Sequence, residues 1–317
     1  MKVETGVLKV AVYIDKLETL DLHQDSTIML ICEGLRKGYA ISIFHEYTIS
    51  IKTEKVYAKV KKVELSEHFI MERTEKEEAL ENFDFIFIRK DPPIDINFLT
   101  KMSFLSMIES KVFMLNSPKG IMAFSEKVLP FVCDIPYIDT LITSCHSDLL
   151  AFKKEHKDIV LKPLYNYCGQ GIYVSLENDK NFLSVSQLFI ENSDKLPIIA
   201  QKYLYGVSFG DRRVIMLGGE PVGALNRIAS QYDFRCNMKT GGSYHLHELS
   251  EKEKELCNKI RPTLLKFGLH FVGVDIIDGY LTEINTTAPA GLTQIKKLGG
   301  MDLSKHFWAY VENYKNY

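Results

Sequence analysis

The sequence predicts an α/β fold at the N-terminus and an α+β fold through the rest of the chain. Three observations carry that expectation. A strand–helix–strand run over 8–44 implies parallel pairing, because parallel neighbours need a crossover between them. A second crossover follows over 83–115. Further on, apolar runs meet at Gly218-Gly219 and Asp278-Gly279, dipeptides that accept positive φ and favour hairpins. At 317 residues the chain exceeds a typical single domain, and two or three are expected.

In the first unit, a strand over 8–14 alternates apolar and polar residues. Asp25-Ser26-Thr27 supplies N-cap chemistry for a helix over 28–37, which Gly38 stops before a strand over 39–44. Weak β alternation spans 49–63, and the charged stretch 72–81 reads as a solvated helix or loop. A buried-type strand over 83–89 runs into Arg89-Lys90-Asp91-Pro92-Pro93. Those charges stand where α/β sheets place ligands, or in a solvated turn. A helix over 98–109 and a strand over 112–115 complete the unit, which closes near Asn116-Ser117-Pro118.

A helix over 119–128 contains Lys127, and a strand over 159–162 ends in Lys162-Pro163. The loop over 165–171, with Gly169 and Gly171, then leads into a strand over 172–176. Such a loop can lay backbone N–H groups over phosphates, or it is an ordinary hairpin loop. No Gly-Lys-Ser/Thr opens a helix after it, so it is not a Walker A loop. The strand over 198–203 runs into Leu204 and carries Gln201, Lys202 and Tyr203. Strands over 211–217 and 221–228 follow. Ser250 and Glu253 form a capping box for a helix through Phe267, in which Pro262 predicts a bend or a one-turn break. A short amphipathic helix over 303–314 closes the chain.

Composition narrows the function. A formal net charge of −2 gives no global attraction to nucleic acid or an anionic membrane, but leaves room for a local basic cleft. The 6 cysteines form no C-x-x-C pair and no zinc spacing with histidine, which suits the reduced thiols of a cytoplasmic protein. No apolar run approaches membrane-spanning length, and no signal region precedes the first strand.

Two clusters then stand out. Asp211 and Arg213 share a strand face, as do Arg235 and Asn237 further on, and Arg227 lies on the intervening strand. Arginine grips carboxylate or phosphate bidentately, so the set suits an anionic site unless it merely caps exposed edges. The other cluster is Asp275, Glu283 and Asn285, on the two runs that flank Asp278-Gly279. Hard oxygens without Cys or His suit Mg²⁺. A plain two-residue turn would place Asp275 opposite Thr282 and away from Glu283. A metal site therefore requires a three-residue loop or a bulge; otherwise this is an edge hairpin with a wet polar face.

Taken together, Arg89-Lys90-Asp91-Pro92-Pro93, the run from Ile159 to Leu164, Gly210-Asp211-Arg212-Arg213, Ala224 to Ile228, and Phe271 to Ile277 with Leu281 to Asn285 resemble the bacterial glutathione synthetases of the ATP-grasp superfamily. The resemblance covers nearly the whole chain. It implies an N-terminal Rossmann-like (pre-ATP-grasp) domain over 1–118, then a two-part ATP-grasp domain with a small lid-bearing subdomain over 119–200 and a larger one over 201–317. It also implies an ATP-dependent carboxylate–amine ligase that joins γ-glutamylcysteine to glycine through an acyl phosphate. ATP would be held by Lys127, Lys162, the lid glycines Gly169 and Gly171, and the segment Gln201, Lys202, Tyr203 and Leu204. Mg²⁺, or Mn²⁺ in its place, would sit on Asp275, Glu283 and Asn285. Asp211, Arg213, Arg227, Arg235 and Asn237 would surround the transferring phosphoryl group. A cytoplasmic homotetramer is implied as well. Departures occur in the lid, where Tyr165-Asn166-Tyr167-Cys168 replaces a glycine-rich run, at Ala288, and at Thr293-Gln294. They leave open a ligase for a different peptide or amine, or a catalytically weak ATP-binding regulatory protein.

Overall fold

β1 (Lys9–Ile14) lies inside the first sheet, and all its residues but the first are buried, because both sheet faces are covered. The computed structural model describes residues 7–67, 69–166, 169–193, 196–230, 236 and 241–314. From β1 the chain passes through α1 (Ser26–Arg36) to β2 (Ala40–Phe44), which pairs parallel to β1. Asp25 caps α1, accepting from the N–H groups of Thr27 and Ile28 at 2.6 and 3.2 Å.

β3 (Ile49–Lys52), β4 (Lys55–Ser66) and β5 (Phe69–Ala79) extend this sheet in antiparallel fashion. The 72–81 stretch is thus largely strand, not a solvated helix or loop. Its charges find opposite charges on neighbouring strands: Lys61 with Glu72 at 2.6 Å, Glu64 with Arg73 at 2.7 Å, and Lys52 with Glu77 at 2.5 Å. Complementary cross-strand charge supports pairing that composition alone does not suggest. β6 (Phe85–Arg89), α2 (Ile96–Ser106) and β7 (Phe113–Leu115) finish the sheet. Its order is β3-β4-β2-β1-β6-β7, with β5 on β4.

α3 (Pro118–Ala123) is shorter than expected and does not reach Lys127. Phe124 turns extended and packs edge-on against Phe267, with ring centroids 5.2 Å apart. The Glu126 carbonyl then accepts from the N–H of Ile284 at 3.0 Å. Tertiary contacts therefore end the helix and place Glu126 and Lys127 in a turn.

The second sheet takes β8 (Thr140–Thr143), β9 (Ile159–Pro163), β10 (Tyr173–Ser175) and β11 (Ile198–Lys202), in the order β10-β9-β11-β8. Its helices are α4 (His146–His156) and α5 (Phe182–Glu191). Leu149, Ile159, Leu161, Phe182, Ile198 and Ala200 give it a small core of its own.

The third sheet is built from β12 (Asp211–Leu217), β13 (Glu220–Ile228) and β14 (Ser243–Leu246) before α6 (Glu251–Lys266), then β15 (Phe271–Ile277) and β16 (Tyr280–Asn285) after it. The order is β14-β13-β12-β15-β16. α6 runs through Pro262 without the one-turn break that the proline suggested. Pro262 and Asn258, four residues earlier, are both exposed, so water can take the orphaned carbonyl.

The chain ends with α7 (Leu292–Lys297) and α8 (Leu303–Tyr314). α8 joins the first and third sheets. The buried Trp308 donates to the Leu30 carbonyl in α1 at 2.8 Å, and the Phe307 ring lies 4.6 Å from Phe87 and 5.3 Å from Phe271. Among the described residues, no helix is long and apolar enough to cross a membrane.

Candidate active site

The hairpin β15–β16 decides the geometry. Asp278 and Gly279 both take positive φ, 53° and 79°, and make a two-residue turn that pairs Ile277 with Tyr280. The register then shifts. Ile276 faces Leu281, but Asp275 faces Glu283, leaving Thr282 as the extra residue of a bulge. The Thr282 hydroxyl donates to the Asp275 carbonyl at 3.1 Å. The condition set by the sequence, a longer loop or a bulge, is met by the bulge.

Strand register also places the arginines. Arg213 on β12 faces Asp275 on β15, and Arg227 on β13 faces Asp211 on β12. Arg213 grips Asp275 with both Nε and Nη2, the latter at 2.9 Å from Oδ2. Arg227 Nη2 reaches Asp275 Oδ1 at 3.0 Å and also donates to Asp211. Asn285 Nδ2 donates to Asp275 Oδ2 at 3.2 Å and to the Gly273 carbonyl at 3.1 Å. A Cβ on Gly273 would lie 3.1 Å from Arg213 Cδ, so a glycine there lets the guanidinium lie close over the strand.

These four charges are largely buried, and their titration follows. Burial alone would raise Asp275, but Arg213 and Arg227 more than reverse it and hold the carboxyl well below its usual range. Burial pushes Asp211 up to about 6, against the pull of Arg227. Asp275 is thus the anionic anchor of both arginines. Of the three expected metal ligands it is the one whose two oxygens are already committed.

Two lysines face this cluster. Lys127 Nζ is 3.1 Å from Glu283 Oε1 and donates to the Asn166 carbonyl at 2.6 Å. Lys162 Nζ donates to Gln201 Oε1 at 2.8 Å, and Gln201 Nε2 donates to Thr140 Oγ1 at 3.0 Å. Burial pulls the Lys162 ammonium down, while Glu283 pushes it back up. The side chain of Gln201 therefore holds Lys162.

One cleft of about 630 Å³ joins these groups. It is lined by Lys127, Lys162, Gly169, Gln201, Lys202, Tyr203, Leu204, Asp211, Arg213, Arg227, Asp275, Glu283 and Asn285. Val160, Ile172, Val174 and Ile277 add an apolar wall beside Tyr203 and Leu204. Gly171 is not part of that lining; its α-carbon backs onto Pro163, where an added Cβ would lie 2.9 Å from Cγ. Gly169 and Gly171 both sit at φ +70°, a conformation that favours glycine. Arg235 and Asn237 lie outside the described residues.

Two features have no local sequence signal. Glu126 is 7% exposed, and its Oε1 accepts from the N–H groups of Thr286 and Thr287 at 2.6 and 3.2 Å. Burial, with the nearby Glu283 charge, pushes it up to about 7. The loop that follows Asn285 is also held by Asn116, which takes the Thr286 carbonyl at 2.6 Å, and by Arg89, which takes the Pro289 carbonyl at 3.1 Å. These partners are more than 150 residues away in sequence, which is why the chain alone does not reveal them.

Residues 8–122 match the family model described as prokaryotic glutathione synthetase, N-terminal domain, and residues 127–300 match the prokaryotic glutathione synthetase ATP-grasp domain. A glutathione synthetase of Mesorhizobium japonicum is 35% identical over 311 residues, covering 96% of this chain and 98% of the relative. One from Agrobacterium fabrum is 36% identical over 312 residues, with 96% and 97% covered. Among solved structures, D-cycloserine synthetase DcsG superposes with a TM-score of 0.69 at 12% identity, covering 96% of this chain and 99% of that one. The ATP-grasp ligase PsnB complexed with minimal precursor gives 0.64 at 17% identity, with 96% and 99% covered. Those two likenesses show the fold. The matched models and the full-length relatives show the family: this chain belongs to the prokaryotic glutathione synthetases, ligases of ATP-grasp fold.

Proposed function

We propose that the cleft joins γ-glutamylcysteine to glycine with ATP as the energy source. The observation that carries this reading is the convergence of Lys127, Lys162, Arg213, Arg227, Glu283 and Asn285 on one cleft. Phosphoryl transfer needs chiefly positioning and charge neutralisation, and this set supplies both.

In that reading the adenine lies along the apolar wall by Tyr203 and Leu204. Lys127 and Lys162 take the phosphates, and Lys162 arrives oriented by Gln201. The cysteinyl carboxylate oxygen attacks the γ-phosphorus, the bond to ADP breaks, and an acyl phosphate forms. Arg213 and Arg227, held in place by Asp275, stabilise the negative charge that develops on the phosphoryl oxygens. Glycine's amine then attacks the acyl carbon and phosphate leaves. The loop bearing Gly169 shields the acyl phosphate from water. Arg235 and Asn237 would join the same site.

A divalent cation fits the donor set. The Glu283 side chain is 25% exposed and has Lys127 as its ion-pair partner. Asn285 spends its amide N–H groups on Gly273 and Asp275, which points its amide oxygen elsewhere. Glu283 and Asn285 would hold Mg²⁺, or Mn²⁺, which suits a cation that keeps room for phosphates. Bound there, it would neutralise phosphate charge. Asp275 anchors the arginines. The units over 1–118, 119–200 and 201–317, a homotetramer and a cytoplasmic location complete the proposal on grounds of resemblance.

The test is ADP release by purified protein with Mg·ATP, γ-glutamylcysteine and glycine. Turnover should require all three. If γ-glutamylcysteine gave no stimulation while another peptide did, the reading would pass to a ligase of different substrate.

A further inference from the structure

The loop from Asn285 to Ala290 touches the charged cluster at both ends. At its start Asn285 Nδ2 donates to Asp275 Oδ2, and at its end the Ala290 carbonyl accepts from Arg213 Nη1 at 3.3 Å. Thr287, Ala288 and Ala290 line the cleft between those points.

The middle of the loop is fastened by one side-chain atom. Glu126 Oε1 accepts from the N–H groups of Thr286 and Thr287 at 2.6 and 3.2 Å, and the two threonine hydroxyls lie 3.5 and 3.4 Å from the same oxygen. Thr286 and Thr287 are 2% and 3% exposed. Buried this deeply, their N–H groups lose their acceptor if the carboxylate leaves, and a buried donor without an acceptor is costly enough to turn the backbone toward another. Asn116 cannot substitute. Its Nδ2 holds the Thr286 carbonyl, and its Oδ1 already accepts from the Phe271 N–H.

The main chain of Glu126 makes a separate link. Its carbonyl accepts from the Ile284 N–H at 3.0 Å, on the strand that carries Glu283 and Asn285. Beside it, Lys127 Nζ lies 3.1 Å from Glu283 Oε1. The main chain thus sets Lys127 against β16, and the side chain sets the loop. A substitution at 126 removes the second link and leaves the first.

We propose that Glu126 is a positioning residue for phosphoryl transfer: its carboxylate holds the loop over 286–290, and through the loop Asn285 and Arg213, in the register the transferring group needs. The inference rests on the glutathione-forming reading and adds a residue that acts through its hold on the loop. Because the carbonyl link to Ile284 is independent of the side chain, nucleotide affinity survives loss of the carboxylate and the rate does not. What the loop requires is an acceptor oxygen in the place of Oε1, which an amide also supplies.

The experiment compares wild type, Glu126→Leu and Glu126→Gln in three measurements. They are turnover at saturating Mg·ATP, γ-glutamylcysteine and glycine, Mg·ADP binding by calorimetry, and backbone amide exchange without nucleotide. Glu126→Leu should lose about 10- to 100-fold in kcat, since misplacing a reacting group by about 1 Å can cost about 100-fold. It should still bind Mg·ADP at full stoichiometry with wild-type affinity. Its exchange should quicken over 284–291 and stay unchanged in β1. Glu126→Gln should restore most of kcat and of the exchange protection. If Glu126→Leu does not fold, Glu126→Asp decides: it keeps the charge, withdraws the oxygen by one methylene from the two N–H groups, and should show the same loss. Unchanged kcat in Glu126→Leu, or in Glu126→Asp where that variant decides, would overturn the proposal. Mg·ADP binding that falls in step with kcat, or exchange that quickens throughout the chain, would mean a packing role and overturn it too. So would a Glu126→Gln variant as slow as Glu126→Leu. A wild type that binds Mg·ADP but releases no ADP from ATP with γ-glutamylcysteine and glycine would overturn the glutathione-forming reading and this role with it.

Discussion

Asp275→Asn separates a carboxylate that anchors arginines from one that holds a metal. Asp275 is 5% exposed, and its two oxygens take contacts from Arg213, Arg227 and Asn285. An amide offers one acceptor oxygen and turns an N–H toward a guanidinium. Two buried cations would then share Asp211 alone. Removing one partner of a buried ion pair costs about 3–5 kcal/mol, so the variant should lose about that much. The pH dependence has a definite sign. Arg213 and Arg227 outweigh burial and hold the folded carboxyl below its unfolded value. Its contribution is therefore complete above the unfolded pKa of about 3.9 and is lost as pH falls toward the folded one. The gap between variant and wild type should be full at pH 7 and narrow below about pH 4. The assay is urea denaturation in EDTA without nucleotide, followed by fluorescence of Trp308, the single and buried tryptophan. A variant as stable as wild type at pH 7, or more stable, would refute the anchoring argument. That outcome is what a carboxylate placed only to hold a cation would give, since removing it relieves repulsion from Glu283 and Asp211.

Glu283→Gln should behave oppositely: its stability in EDTA stays within about 0.5 kcal/mol of wild type, while Mg²⁺-dependent turnover falls by about 100-fold; unchanged turnover would remove Glu283 from the site. Glu126→Gln should stabilise the nucleotide-free protein by up to about 3 kcal/mol at pH 8 and by nothing near pH 4. Burial raises Glu126 to about 7 when folded, so wild-type stability falls as pH climbs from the unfolded value through that point, and the amide escapes the loss. Thermal melts across pH check this, and a pH-independent difference would contradict it. Gly34→Ala should destabilise by about 1–2 kcal/mol in the same melts, because its Cβ would lie 2.5 Å from Trp308 Cζ2 and 2.7 Å from Ile41 Cδ1; the better helix propensity of alanine returns only part of that.

The sequence by itself determined what short-range chemistry controls. Asp25 and Ser250 marked two helix starts, and both cap as expected. Asp278-Gly279 marked a hairpin because few other residues accept positive φ, and the turn forms there. The order of charged motifs along the chain carried the family, and Asp211 and Arg213 share a face of β12 as their spacing predicts; the bulge at Ile215/Met216 brings Arg227 onto it.

Tertiary structure decided everything that depends on which strand lies beside which. The charges of 72–81 look solvated until β3 and β4 supply their opposites. The helix after Pro118 looks longer until Phe124 leaves it for Phe267. Asp275 is one oxygen-bearing residue among several in the sequence, and its contact with Arg213 appears only once β12 lies beside β15. Glu126 carries no signal of its own, yet it holds the loop beyond Asn285 from 160 residues away. Dihedral preferences and caps act within a few residues, so a sequence displays them; pairing a buried charge requires a partner delivered by the fold, and no local pattern encodes where that partner is.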